Sequence, residues 1–215
     1  MRLWTIQHED AYTQLMDTGV LHAPLHPVDL DDDENLHIKY EWMVEKMRNS
    51  IGEPPSGVKF PIWAWHTYCS KHSRIDLRRY ICFMEKGTPM VQMEIEIPDD
   101  KVLLSDYDLW VAIEDGQNLL LDSSEAVDEF GKRLAKAGFN KSWYELCNVK
   151  DKSMLTEEAI SLKNEVISSW DRCFDIDAPY IDFYEPKEKS IQGTFWELWK
   201  EDVINVWHFK SRGYR

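Results

Sequence analysis

"MVQMEIEIP", residues 90–98, alternates strictly: Val91, Met93, Ile95 and Ile97 take one side, Gln92, Glu94 and Glu96 the other. A period of two is that of extended chain, because successive side chains leave opposite sides of the pleat. One apolar and one polar face describes a strand resting on a core with water behind it, which antiparallel sheets allow and parallel sheets rarely do. The neighbours of this segment therefore decide the fold class.

Upstream, "MRLWTIQ" reads as a strand with Leu3, Thr5 and Gln7 on one face and Arg2, Trp4 and Ile6 on the other. "HEDAYTQLMDTG" follows as a short helix, acidic in its first turn and stopped at Gly19. "VLHAPLHPVDLDDD" reads as a loop. A helix is predicted from about 34 to 50, with Leu36, Tyr40, Met43, Met47 and Ile51 as its apolar stripe and Trp42 off it. "VKFPIWAWHTY" is extended, "RRYICFM" reads as a further strand and "EKGTP" as a turn. Downstream, "DDKVLLSDYDLWVAI" carries a short strand and then Ser105 as the expected N-cap of a helical turn. Helices are predicted over 124–137, on Val127, Phe130 and Leu134, and over 156–170, on Ala159, Leu162, Val166 and Trp170. "NKSWYELCNVK" between them reads as another short helix, and "IQGTFWELWKEDVINVWHF" (191–209) closes the chain as two strands around a polar break. Strands at both ends and in the middle, with helices grouped between, predict one α+β domain over 1–215 with a mixed, largely antiparallel sheet.

The 215 residues carry a formal charge of −14, which argues against a protein that coats nucleic-acid backbone or an anionic membrane surface. Four cysteines (Cys69, Cys82, Cys147, Cys173) form no CxxC pair or zinc spacing, and a cytoplasmic protein with reduced thiols is expected. The histidines have no metal-ligand spacing, so no metal is expected. Ten tryptophans are many for this length. They serve as bulky core filler, or line a groove or a surface that meets a protein partner.

Glu197 is set among Phe195, Trp196, Leu198 and Trp199. If Ile191–Leu198 is a regular strand, its carboxylate shares a face with Ile191 and Phe195, and is paired with a cation or raised in pKa. In "PIWAWHTY", Trp63, Trp65, His66 and Tyr68 form a ring slot able to stack a base or nicotinamide. The cationic cluster "HSRIDLRRY" offers Arg74 and Arg78 for a pyrophosphate. Each group has a structural alternative: an ion pair with one of the arginines or a strand end that meets solvent for Glu197, a buried strand for the aromatics, surface pairing for the arginines.

The segments "LWTIQ", "PIWAWH", "EIEIPDDKVLLSDYDLW" and "QGTFWELWKEDVINVWHF" together resemble an uncharacterised bacterial family, domain of unknown function 3841, over nearly the whole chain. No activity comes with that resemblance. A second likeness joins "LWTIQHEDAYTQLMDTGVL" and "MVQMEIEIPDDKVLLSD" to DarT-like ADP-ribosyltransferases. It implies NAD as cofactor and a catalytic glutamate on the last strands, which would fall on Glu197. Thr5 and Gln7 stand near where that family carries a histidine. Gln192 precedes Glu197 by five positions, a spacing that departs from the family's. The resulting expectation is an NAD- or nucleotide-binding domain; the competing one is a non-enzymatic module that binds a protein through a Trp-rich surface.

Overall fold

The computed structural model describes residues 1–24, 34–77, 84–114, 123–139, 155–177 and 188–213, with Trp143, Leu146, Val149 and Ser153. The alternating segment forms β4 (Pro89–Glu96), and the N-terminal strand β1 (Arg2–His8) pairs with it antiparallel over seven residue pairs, from Arg2–Glu96 to His8–Met90. Four more strands complete the main sheet: β3 (Ile62–Thr67), β5 (Leu103–Asp106), β6 (Ile191–Phe195) and β8 (Val203–Lys210). Their spatial order is β5-β6-β3-β1-β4-β8, and every neighbouring pair is antiparallel. Two short strands, β2 (Val20–Leu21) and β7 (Leu198–Trp199), form a separate ladder. The α+β fold is as the pattern of elements predicts.

Each face of the sheet is covered. On one, Leu3, Val91, Met93, Ile95 and Phe195 pack with Leu15 of α1 (Glu9–Thr18). On the other lie α2 (Glu34–Ile51), α3 (Tyr107–Glu114), α4 (Ser124–Lys136) and α5 (Glu157–Ser169), joined through Met43, Met47, Ile113, Leu134, Leu162 and Trp170. A smaller group of Trp4, Trp65 and Ile75 covers more of that second face. Double coverage corrects the expectation of a wet face on β4, since Gln92 and Glu94 are buried too. Burial forces them to find partners. Gln92 Nε2 donates to the Ile75 carbonyl at 3.3 Å, and Glu94 takes Arg2 at 3.4 Å and the Asn205 amide at 2.9 Å.

Other local expectations shift for identifiable reasons. Gly19 does end α1, at φ +83, where a side chain would be strained. The following Val20–Leu21 is strand rather than loop, because β7 is there to pair with it. Trp42 and Val44 are buried, so α2 has two covered sides, and Trp42 stacks on Phe174 at 5.3 Å. Val127 is 38% exposed, which leaves Phe130 and Leu134 as the buried positions of that stripe. Residues 78–83 of the expected "RRYICFM" strand and most of 140–150 lie outside the described residues.

Ser105 sits inside β5, fully buried, and the capping role passes to Asp106. Its Oδ1 accepts from the backbone N–H of Asp108 at 3.0 Å and of Leu109 at 3.2 Å. Asp108 lies beside it, and burial, then the Asp106 carboxylate, push the Asp108 carboxyl up to about 6. A raised carboxyl pKa means that the folded chain holds this proton when the unfolded chain has released it. Asp108 therefore lowers stability progressively between pH 4 and 6, and the penalty is complete above pH 6. Asp108→Asn is expected to stabilise the fold by about 1 kcal/mol at pH 7, after allowance for partial exposure, and by much less at pH 4. Urea denaturation at the two pH values measures this; an equal shift at both would contradict the titration.

Candidate functional site

β1 and β3 share a single register pair, Trp4 opposite Trp65. Beyond it the Thr5 hydroxyl still bridges to the Trp63 carbonyl at 2.9 Å, and then Ile6 and Gln7 of one strand and Ile62 and Trp63 of the other line a hollow. Its volume is about 780 Å³, within the range of small-molecule sites, roughly 300–1,000 Å³. Its remaining walls come from α1, from the chain after β2, from Tyr40 of α2 and from the 56–61 segment that leads into β3.

The wall is aromatic and braced from behind. Tyr40 meets Phe60 and Trp63 edge-on at 6.2 and 6.4 Å, and Trp63 lies against Trp110 at 5.3 Å. Trp65 is held by Tyr68 and Tyr107 at 4.9 and 4.8 Å. Rings locked in this way lose little freedom when a planar ligand arrives, which favours binding. Two side-chain amides join them, Gln7 from β1 and Gln192 from β6.

Four of the sequence-predicted residues thus converge: Gln7, Trp63, Trp65 and Gln192. Thr5 is fully buried and supports Gln7, whose Nε2 donates to the Thr5 hydroxyl at 2.8 Å. His66, Tyr68 and Arg74 do not line the hollow. A register shift in β3 between Trp65 and Thr67 re-aims His66, whose Nδ1 meets the Thr67 hydroxyl at 3.0 Å and whose ring lies 4.3 Å from His72. Burial, then His72, lower its pKa. Tyr68 opens a tight turn to Lys71, with Cys69 and Ser70 both left-handed, and lines a separate 180 Å³ hollow with Arg74. The Arg74 guanidinium covers the Trp207 ring of β8 at 4.7 Å. Arg78 lies outside the described residues.

Glu197 is not on a regular strand. β6 ends at Phe195, and the chain bends at Trp196, whose indole N–H donates to the Gly52 carbonyl at 2.9 Å. The carboxylate is paired, but with a histidine instead of an arginine: His22 Nε2 lies 3.0 Å from Glu197 Oε1. The β2–β7 ladder creates this contact. Val20 faces Trp199 and Leu21 faces Leu198, so the next residues outward are His22 and Glu197. His22 lines the hollow, and both side chains are partly exposed, at 35% and 28%. The imidazole presents its second ring nitrogen, Nδ1, away from this contact. The pair can orient a hydroxyl or water, or steady a positive charge developing at the rim.

Sequence reading did not find His22, Tyr40 or Phe60. His22 stands between Leu21 and Ala23 with no partner spacing, and only the strand ladder brings it to Glu197. The buried Cys173 thiol is pushed up by burial and, among other neighbours, the Asp106 carboxylate, which makes it a poor nucleophile. Among the described residues, no helix is long and apolar enough to cross a membrane, and no three His, Cys, Asp or Glu side chains converge as metal ligands.

No curated protein and no solved structure matches the chain, so nothing in the comparisons supports the likeness to ADP-ribosyltransferases. A family match covers residues 2–204 and with them both walls of the hollow, His22 and Glu197. The chain belongs to the family described as domain of unknown function 3841.

Proposed function

We propose that this protein binds a nucleotide-type ligand, with NAD the first candidate, by taking a planar ring into the hollow between β1 and β3. The observation that carries the reading is the braced aromatic wall of Tyr40, Phe60, Trp63 and Trp65 meeting two side-chain amides in one space, with His22 on the lining and Glu197 reached through it. In this reading Trp63 and Trp65 stack the ring, Gln7 and Gln192 orient it, and Glu197 with His22 supplies the polar group that a transfer or hydrolysis step at the ring's attachment bond requires. Cleavage of such a bond builds positive charge on the sugar, which a placed carboxylate stabilises.

The competing reading, a module that grips a protein through exposed tryptophan, draws on less. Seven of the ten tryptophans are buried and Trp199 alone is classed as exposed, at 44%. They account for much of the core.

Thermal unfolding in the presence of NAD, ATP and adenosine tests the binding. A ligand present at a hundredfold excess over Kd raises stability by about 2.7 kcal/mol. Glu197→Gln keeps the size of the side chain and a carbonyl acceptor for His22. It is expected to leave the melting temperature and the ligand-induced shift near wild type, and to cut nicotinamide release from NAD by about a hundredfold or more. A variant that fails to fold would make Glu197 structural, and absence of a shift with every nucleotide would favour the protein-binding module.

A further inference from the structure

The hollow has a charge character as definite as its shape. Among the described residues that line it, Asp10 is the one formally charged side chain, and His22 is committed to Glu197. No Lys or Arg occurs anywhere from Leu3 to Ile38, the stretch that supplies α1, β2 and all of β1 but Arg2, which pairs with Glu94. Nor is the N-terminus of α1 an open anion site. His8 caps it through Nδ1, which accepts from the Asp10 N–H, and Glu9 and Asp10 occupy the first turn. Nothing described on this wall neutralises a phosphate or a carboxylate.

The amides give the complementary half of the specificity. The Thr5 hydroxyl proton is spent on the Trp63 carbonyl, which can only accept. The Thr5 oxygen must therefore accept from Gln7, and this fixes which end of that amide is which: the NH2 points to Thr5 and Oε1 is left for the hollow. Gln192 enters the lining from β6, beside Trp65 in register, and its Oε1 is buried with no hydrogen-bond partner among the described residues. Gln7 Oε1 is thus the acceptor that a ligand's donor can meet, and an acceptor that a bound ring covers and leaves unmet costs free energy.

We infer that the hollow selects a heteroaromatic ring that carries an N–H donor, as an exocyclic amine or carboxamide, and no negative charge, with Gln7 as the specificity-determining residue and Thr5 as its positioning residue. The inference rests on the reading of the hollow as a ring site. Any phosphates of a larger ligand stay outside the wall described here.

Isothermal titration of the full chain with nicotinamide and with nicotinate tests it, because the two share a ring and differ in donor and charge. Nicotinamide is expected to bind at least about tenfold more tightly, since a site built to hydrogen-bond an N–H rejects the analogue that lacks one. Gln7→Leu, on the partly exposed wall, should bring the two affinities within about threefold of each other. Thr5→Val frees the Gln7 amide to turn its NH2 into the hollow, so it should weaken nicotinamide and strengthen nicotinate, a split that simple loss of packing, which weakens both, would not produce. Equal binding of both compounds to the wild-type protein, or a preference for nicotinate, overturns the inference and leaves the ring site standing. If neither nicotinamide nor adenosine binds, the ring site itself fails and the inference with it.

Discussion

Trp170→Ala is expected to remove about 3–5 kcal/mol of stability, the cost of emptying a large buried aromatic site. Trp170 has no exposed surface, and its ring meets Trp42 edge-on at 5.4 Å and Trp143 at 6.4 Å. It therefore joins α2 and α5 to the chain around Trp143, so neighbours on three segments cannot all collapse into the space it leaves. Against a total of about 5–15 kcal/mol for a domain of ordinary stability, the loss is severe. For a domain of this size it corresponds to a fall in melting temperature on the order of 10 °C. Trp170→Phe should cost less than half as much, because a ring still reaches Trp42. A loss below about 1 kcal/mol for the alanine variant, read from urea midpoints at constant m-value, would mean that the helical layer repacks freely.

Gly193→Ala is the second large effect, and its cause is crowding in place of a void. Gly193 lies near the middle of β6, between Ala64 of β3 and Leu104 of β5. A Cβ placed on it would lie 2.8 Å from a Val102 methyl and 3.4 Å from Leu3. Val102 is β-branched and stiff at χ1, so the methyl cannot swing aside cheaply. A loss of about 1–3 kcal/mol is expected, typical of overpacking. Val102→Ala in the same chain should recover part of it, so that the double variant is more stable than the sum of the single losses implies. Strict additivity would show that Val102 is not the group being struck.

Most of the secondary structure is legible in the sequence because its signals are local and repeated. The alternation of residues 91–97 sets β4, Gly19 ends α1, and the stripe Ala159, Leu162, Val166, Trp170 is buried throughout. The readings that shift depend on what the rest of the chain supplies. Two residues, Val20 and Leu21, are too few to carry a period. Trp42 lies off its helix's stripe and is covered because Trp170 and Phe174 come back over it. Ser105 and Asp106 are both capping residues one position apart, and the register of β5 against β6 decides between them. The candidate site divides in the same way. Aromatic clustering marks Trp63 and Trp65 in advance, whereas the partner of Glu197 becomes visible only once β2 lies on β7.

The strand order β5-β6-β3-β1-β4-β8 also constrains how the molecule is made. During synthesis β1, β3 and β4 emerge first and can form the middle of the sheet. β5 has no neighbour until β6 appears about 85 residues later, a separation read from their ranges. The outer flank of β4 waits for β8. Contacts this distant in sequence slow folding, because the chain must close long loops before they form. His22 likewise leaves the ribosome 175 residues ahead of its carboxylate. A nascent chain that has not yet reached residue 197 holds the aromatic wall without the acid beside it, so any chemistry that needs this pair waits until both walls of the hollow have been made.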